Sequence, residues 1–223
     1  MAIDPKCFEN APILGHLLPA ERAVLIKAAK IKSFLKGEVI IWQDEIFTQA
    51  AYIHSGKVEW TMLSVDGKRQ VVFKLEECDI VWPHSILDGK PMPASLEVIE
   101  DCVLYFWDQK VLLPMISSNP AALLDVSLIL LRYMRQVREV VYGFAFHPVA
   151  SRLARLLLDH YQPQKGQPAA RNLTLDEMAD TVGTTRELIS RTLHRFANND
   201  MIQINRVEFV FKDPERLREI ANQ

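Results

Sequence analysis

The sequence predicts an α+β protein in three parts: an N-terminal antiparallel β-domain, a long central helix, and a C-terminal helix-turn-helix followed by a β-hairpin. Three observations carry this. Short β-branched or alternating runs bounded by turn residues fill 31–107, residues 121–144 hold an apolar seam free of proline, and 174–196 contains two amphipathic segments that meet at Gly183.

The β-domain follows a helix that opens at Pro19, where the missing N–H costs nothing. Its expected strands are 39–42, 51–54, 58–62, 70–73, 96–99 and 103–106. They are separated by turn signals at Lys36-Gly37, Gln43-Asp44, Ser55-Gly56-Lys57, Asp66-Gly67-Lys68 and Asp88-Gly89. Short antiparallel strands at even spacing mean a sandwich or a barrel.

In the central helix Leu123, Val126, Leu130, Tyr133, Val137, Val140 and Phe144 alternate spacings of three and four, a seam of period 3.5. Leu124, Leu128 and Leu131 add a second apolar face, while Arg132, Arg135, Gln136, Arg138 and Glu139 stay polar. Burial of the whole helix in one core is one outcome. Two apolar faces favour two partners, the helix's own domain and a second copy of the chain. A further helix begins near Pro148, and the turn-prone stretch 162–171 follows it. The expected divisions are therefore 1–119 for the β-domain, 120–146 for the dimerisation helix and hinge, and 147–223 for the last domain.

Thr174 with Glu177 forms a capping box, and Gly183 supplies the permissive residue that ends this helix. Thr185 caps a second helix with Leu188, Ile189, Leu193 and Phe196 facing inward, which makes the pair a helix-turn-helix. Arg186, Glu187, Ser190, Arg191 and His194 share the outer face. Arg can bond guanine O6 and N7 together, and a carboxylate can accept from cytosine N4. An exposed helix with ordinary i,i+4 charge pairs is the plainer alternative; a Glu on a phosphate-facing surface would be repelled, which favours base reading. Residues 201–211 then give two strands around a two-residue turn, a wing.

Composition narrows the classes. The 223 residues carry a net charge of −2, with 49% hydrophobic and 24% charged, so disordered and low-complexity proteins are excluded. No apolar run approaches the ~18 residues of a membrane span. Met1 to Glu9 has no apolar signal region, so a cytoplasmic protein without a membrane partner is expected. Cys7, Cys78 and Cys102 have neither disulfide nor zinc spacing. Metal-dependent enzymes on β-barrels cluster His and Glu, whereas 31–107 holds only His54 and His84, so an enzyme is not expected. Residues 144–223 carry 11 basic and 10 acidic residues, so DNA affinity would rest on placement rather than bulk charge.

From about Leu14 to Ala221 the order of parts resembles the CRP/FNR family of bacterial transcription regulators. The most specific stretch is Gly183-Thr-Thr-Arg186-Glu187-Leu-Ile-Ser190-Arg191, similar to that family's G-x-[ST]-R-E-x-x-[SG]-R recognition helix; Gly37, Gly56 and Gly67 fall where its β-roll turns. The resemblance implies a cyclic-nucleotide-binding-like jelly roll, a central dimerisation helix and a winged helix. It implies a homodimer on a palindromic operator of double-stranded DNA, with RNA polymerase as a partner. Thr185, Arg186, Glu187, Ser190, Arg191 and His194 would form the DNA-binding set. TGTGA-like and TTGAT-like half-sites both remain open.

The same resemblance makes the effector distinctive. The family's cyclic-AMP branch carries a Gly-Glu-Leu phosphate-binding turn and then an Arg-Ser pair; here stand Val81-Trp82-Pro83-His84-Ser85 and Met92-Pro93-Ala94. A buried phosphate without that Arg is an uncompensated charge, so cyclic AMP by the usual route is not expected. The iron–sulfur branch needs a cysteine cluster, and only Cys7 lies near the N-terminus. Asp79 to Ser85 and Phe146-His147 resemble the haem-based carbon monoxide sensors, with His84 on their haem-ligating histidine. Trp82, however, replaces their thiolate, and their N-terminal proline ligand has no counterpart. A haem sensor using His84, or a redox sensor using Cys78 with Cys102, is thus the alternative to a cofactor-free regulator. Trp60, Phe73, Trp82, His84 and Met92 are the expected effector pocket; it would take an unknown small molecule, or else be filled by its own side chains.

Overall fold

The computed structural model describes residues 8, 9 and 11–223; Cys7 lies outside them. The chain divides into two compact units: residues up to Ser64 with Val72–Val137, and Val65–Val71 with Arg138–Gln223.

The first unit begins with α1 (Pro19–Ala28) and six strands: β1 (Lys30–Phe34), β2 (Val39–Ile41), β3 (Gln49–Leu63), β4 (Arg69–Leu75), β5 (Ile80–Val81) and β6 (Ser95–Asp108). The short α2 (Ser85–Asp88) sits between β5 and β6, and α3 (Gln109–Ser117) follows. All six strands join one antiparallel sheet around the β3–β6 ribbon, which pairs from Gln49↔Asp108 to Thr61↔Ser95. β1 and β2 line the two halves of β6, while β4 and β5 pair with β3.

Four of the expected strands are therefore two. The runs 51–54 and 58–62 are one strand, as are 96–99 and 103–106. Ser55-Gly56-Lys57 is not a turn but a set of register shifts inside β3. Gly56 has φ +86°, and a Cβ there would collide with the Asp101 carbonyl and with Cys102. A glycine with positive φ satisfies a strand bulge as well as a turn, which is why the sequence signal was ambiguous.

Residues from both faces of β3 and β6 are buried in the core, among them Tyr52, Val58, Leu96, Leu104 and Phe106. Phe8 meets Tyr52, Tyr105 and Trp107 edge-on, and the Trp107 indole N–H donates to the Leu25 carbonyl at 2.8 Å, tying α1 to the sheet.

The helix α4 (Pro120–Phe146) contributes its residues up to Val137 to this unit. Ala122, Val126, Ile129 and Tyr133 are buried against the β-domain. Val126 and Tyr133 therefore belong to the protomer's own core, which corrects their expected place in a dimer seam. Tyr133 stacks on Phe73 at 4.7 Å and donates its hydroxyl to the Ile80 carbonyl at 3.0 Å; burial pushes its pKa up, so it remains a donor. Arg132 adds an ion pair to Asp79 at 3.0 Å. Leu130 is half-buried, whereas Leu123 and Val137 are exposed.

The second unit contains α5 (Val149–Tyr161), β7 (Pro168–Ala170), α6 (Leu175–Val182), α7 (Arg186–Asn198), β8 (Ile202–Ile204), β9 (Glu208–Phe211) and α8 (Pro214–Ala221). Leu153, Leu157, Met178, Ile189, Leu193, Phe196, Phe209, Phe211 and Leu217 make its core. Arg152 lies under burial that lowers its pKa, donates to the Val182 and His147 carbonyls and covers one face of the Phe144 ring, which stays exposed elsewhere. The stretch 162–171 is not all loop: β7 pairs with β9 and completes a three-stranded sheet. Proline at its start and exposed residues hid it, as suits an edge strand. The wing turns across Arg206 and Val207, closed by Asn205 N–H donating to the Glu208 carbonyl at 3.1 Å.

Candidate DNA interface and effector cavity

The helix-turn-helix is built by local hydrogen bonds. Thr174 Oγ1 accepts from Glu177 N–H at 3.1 Å, and Glu177 Oε2 accepts from Thr174 N–H at 2.8 Å, closing the box that starts α6. Gly183 at φ +70° ends α6, donating its N–H to the Ala179 carbonyl at 2.8 Å. Thr185 Oγ1 then accepts from Leu188 N–H at 3.3 Å and opens α7. Thr185 is thus committed as a cap, so its part in the interface is to set where α7 begins.

Ile189, Thr192, Leu193 and Phe196 bury one side of α7; Thr192 satisfies its hydroxyl by donating to the Leu188 carbonyl at 2.7 Å. Arg186, Glu187, Arg191 and His194 are exposed on the other side, with Ser190 half-buried between them. All five outer residues predicted from the sequence therefore share the displayed face. Arg186 Nη1 reaches Asp176 Oδ2 at 2.7 Å. Such an exposed pair contributes little, ~0–1 kcal/mol, so the guanidinium is held in place but can be exchanged for a base edge. The Glu187 carboxyl is held below the usual carboxylate range by its own backbone N–H and the Thr185 hydroxyl, with Arg186 and Arg191 adding to the effect. It is an ionised acceptor at neutral pH.

Within the first unit, Trp60, Phe73, Trp82, His84 and Met92 all line one cavity of about 430 Å³. Met62, Val72, Pro93 and Ala94 complete its sheet side; Leu130, Tyr133, Met134 and Val137 of α4 make the opposite wall. The sequence reading missed that helical wall, because the same residues carried the seam periodicity. Leu130 and Val137, expected only in a dimer seam, face this space as well. Among the described residues no Arg, Lys, Asp or Glu lines it. The Tyr133 hydroxyl is already paired; the indole N–H groups of Trp60 and Trp82 are sealed within the core, with no acceptor among the described residues.

This lining does not fit haem. Among the described residues His84 is its single imidazole, and no Arg or Lys lines it to meet the propionates. Among the described residues no cluster of three His, Cys, Asp or Glu could hold a metal ion. Cys78 and Cys102 are separate free thiols. Cys78 is exposed and accepts from the Tyr52 hydroxyl at 3.4 Å, while burial pushes the Cys102 thiol up to about 11. At neutral pH Cys102 is a protonated core residue rather than a reactive thiolate.

Comparison with known proteins decides the family. The cyclic nucleotide-binding domain model matches residues 31–119, and the Crp-like helix-turn-helix domain model matches 151–220. The chain belongs to the CRP/FNR family. It is 26% identical, over 93% of its length and 95% of the relative's, to the CRP-like cAMP-activated global transcriptional regulator of Mycobacterium tuberculosis. It is 22% identical to the cyclic AMP receptor protein of Thermus thermophilus, covering 96% of this chain and 98% of that one. A CRP/FNR regulator from Eubacterium rectale shares the fold with a TM-score of 0.80 at 17% identity, covering 95% of this chain and 98% of the other. This CRP/FNR chain is a DNA-binding transcription regulator and not an enzyme. No single helix is long and apolar enough to cross a membrane.

Proposed function

We propose that this CRP/FNR regulator works as a cytoplasmic homodimer that reads an inverted repeat with α7, contacts RNA polymerase, and does not respond to cyclic AMP by the family's usual route. The observation that carries the DNA reading is the exposed set Arg186, Glu187 and Arg191 on a helix whose opposite side is fully buried. Each such side chain contacting a base edge contributes ~1–3 kcal/mol of discrimination.

The dimer rests on α4. With Ala122, Val126, Ile129 and Tyr133 used by the protomer, Leu124, Leu128, Leu131, Met134 and Val141 remain exposed as an unmatched apolar stripe. A stripe of this extent on a long helix supports a second helix packing on it. Two copies about a two-fold axis would present two α7 helices to successive major grooves about 34–36 Å apart.

The lack of any Arg or Lys around the cavity among the described residues supports the loss of cyclic AMP response, although the Mycobacterium tuberculosis relative is named as cAMP-activated. A cyclic phosphodiester there would be buried without a countercharge. The test is selection from a randomised duplex library with the full-length protein, without added ligand and with cyclic AMP. Enrichment of a palindrome that cyclic AMP does not alter is the expected outcome. An enriched site without two-fold symmetry, or enrichment that requires cyclic AMP, contradicts it.

A further inference from the structure

The helix-turn-helix carries acid as well as base. Helix α6 holds three carboxylates, Asp176, Glu177 and Asp180, and neither Lys nor Arg. In such a motif the first helix crosses the DNA backbone while the second enters the groove, so an ionised carboxylate on the first is repelled by phosphate unless it has other work. Glu177 closes the capping box with Thr174, and Asp180 pairs with Arg69 at 3.0 Å inside the second unit. Asp176 reaches across the turn to the first residue of α7, accepting from Arg186 Nη1 at 2.7 Å.

The Asp176 and Arg186 side chains are 62% and 59% exposed, so their pairing adds little to the stability of the fold. Its consequence lies in the free guanidinium. A long arginine side chain gives up rotamer freedom when it is fixed on a base, and that loss is smaller where a neighbour already holds it. A guanidinium carries several N–H donors and Asp176 engages it through Nη1, so Arg186 need not release Asp176 to meet a base edge. The carboxylate also offsets the positive charge that would otherwise suit Arg186 to any phosphate, a contact that carries no sequence information.

We propose that Asp176 is a specificity-determining positioning residue for DNA reading: it holds the Arg186 guanidinium for a base edge and withholds it from phosphate. This rests on the reading of α7 as the helix that enters the groove.

An acidic residue in the first turn also favours its own helix through the helix dipole, so the test compares Asp176 with Thr174, which caps the same helix. The full-length parent, Asp176→Ala, Asp176→Asn, Thr174→Ala and Arg186→Ala are each taken through selection from a randomised duplex library. Fluorescence anisotropy then follows binding to the parent's selected palindrome and to a random duplex across a salt series. Asp176→Ala should relax preference at the same base pair as Arg186→Ala and at no other, and weaken binding to the palindrome about five- to ten-fold. On the random duplex its affinity should stay level or rise up to about three-fold. There the slope of log affinity against log salt should steepen by about one for each chain bound, because the freed guanidinium takes a phosphate. Asp176→Asn keeps the shape and an acceptor oxygen and should give the same change at smaller size. Thr174→Ala should keep the parent's base preference. Adding Asp176→Ala to Arg186→Ala should change the preference no further.

Circular dichroism identifies the folded variants, and the isosteric Asn variant serves where the Ala variant does not fold. Unchanged base preference in the folded Asp176 variants overturns the proposal. So do equal losses on palindrome and random duplex, or a shift of the same size when residue 186 is already alanine. A parent protein that enriches no site overturns the DNA reading itself. A parent that enriches a palindrome, which the Asp176 variants then enrich unaltered, overturns this proposal alone.

Discussion

The outer face of α7 and the cavity of the β-domain use opposite chemistry. On α7 the charged residues are displayed: Arg186, Glu187 and Arg191 stand in water beside a buried face of Ile189, Leu193 and Phe196. Around the cavity no charged residue appears among the described residues, and the aromatic side chains line the space itself. We propose that the first reads base edges and that the second no longer holds a phosphate. The β3–β6 ribbon pairs backbone to backbone, so its register does not depend on which side chains line the cavity.

The comparison can be broken most forcefully at the core beneath α7. Phe196→Ala removes a fully buried ring and should destabilise the DNA-binding unit by ~3–5 kcal/mol, read from urea unfolding. The first unit should keep its own unfolding midpoint in the same titration; an equal loss in both units would mean that the two are not separable. Next is the exposed stripe of α4. Leu128→Glu with Leu131→Glu should weaken self-association by at least about 30-fold, measured by sedimentation across concentration. A double variant as dimeric as the parent would move the interface elsewhere.

At the recognition face, Glu187→Ala should cost ~1–3 kcal/mol on the selected operator and relax preference at one base pair. Equal losses on specific and random duplexes would remove Glu187 from base reading. Because its carboxyl lies below the usual range, the group is ionised above its lowered pKa, so the preference should hold between pH 8 and pH 6. The smallest effect is at the capping box. Thr174→Ala should lower stability by ~1 kcal/mol with base preference unchanged, since Thr174 positions α6 and touches no base-reading side chain.

Much of this was legible in the sequence because the signals were local. Thr174, Glu177, Gly183 and Thr185 fix both helices of the helix-turn-helix through bonds spanning three or four residues, and the inner and outer faces of α7 follow from the helical period. The β-domain was legible in kind but not in count. Gly56 allows positive φ in a turn and in a bulge alike, and only its long-range partner Asp101-Cys102 decides between them. β7 escaped because its pairing with β9 is made by backbone across distant sequence, which side-chain pattern does not encode. The α4 seam misled for a related reason. Periodicity shows that Val126 and Tyr133 are apolar on one face, but it does not say which body covers that face. Trp60, Phe73, Trp82, His84 and Met92 were gathered through the family likeness; Leu130, Tyr133 and Val137 were not, having already been assigned to the seam, and Met134 was assigned to neither.

The central claim is that DNA reading has been kept while effector chemistry has changed. Its most direct test is the affinity of the full-length protein for its own selected palindrome, measured by fluorescence anisotropy at constant salt with no ligand and with cyclic AMP. The account predicts that cyclic AMP leaves the Kd unchanged. A Kd that falls as cyclic AMP is added would contradict the account.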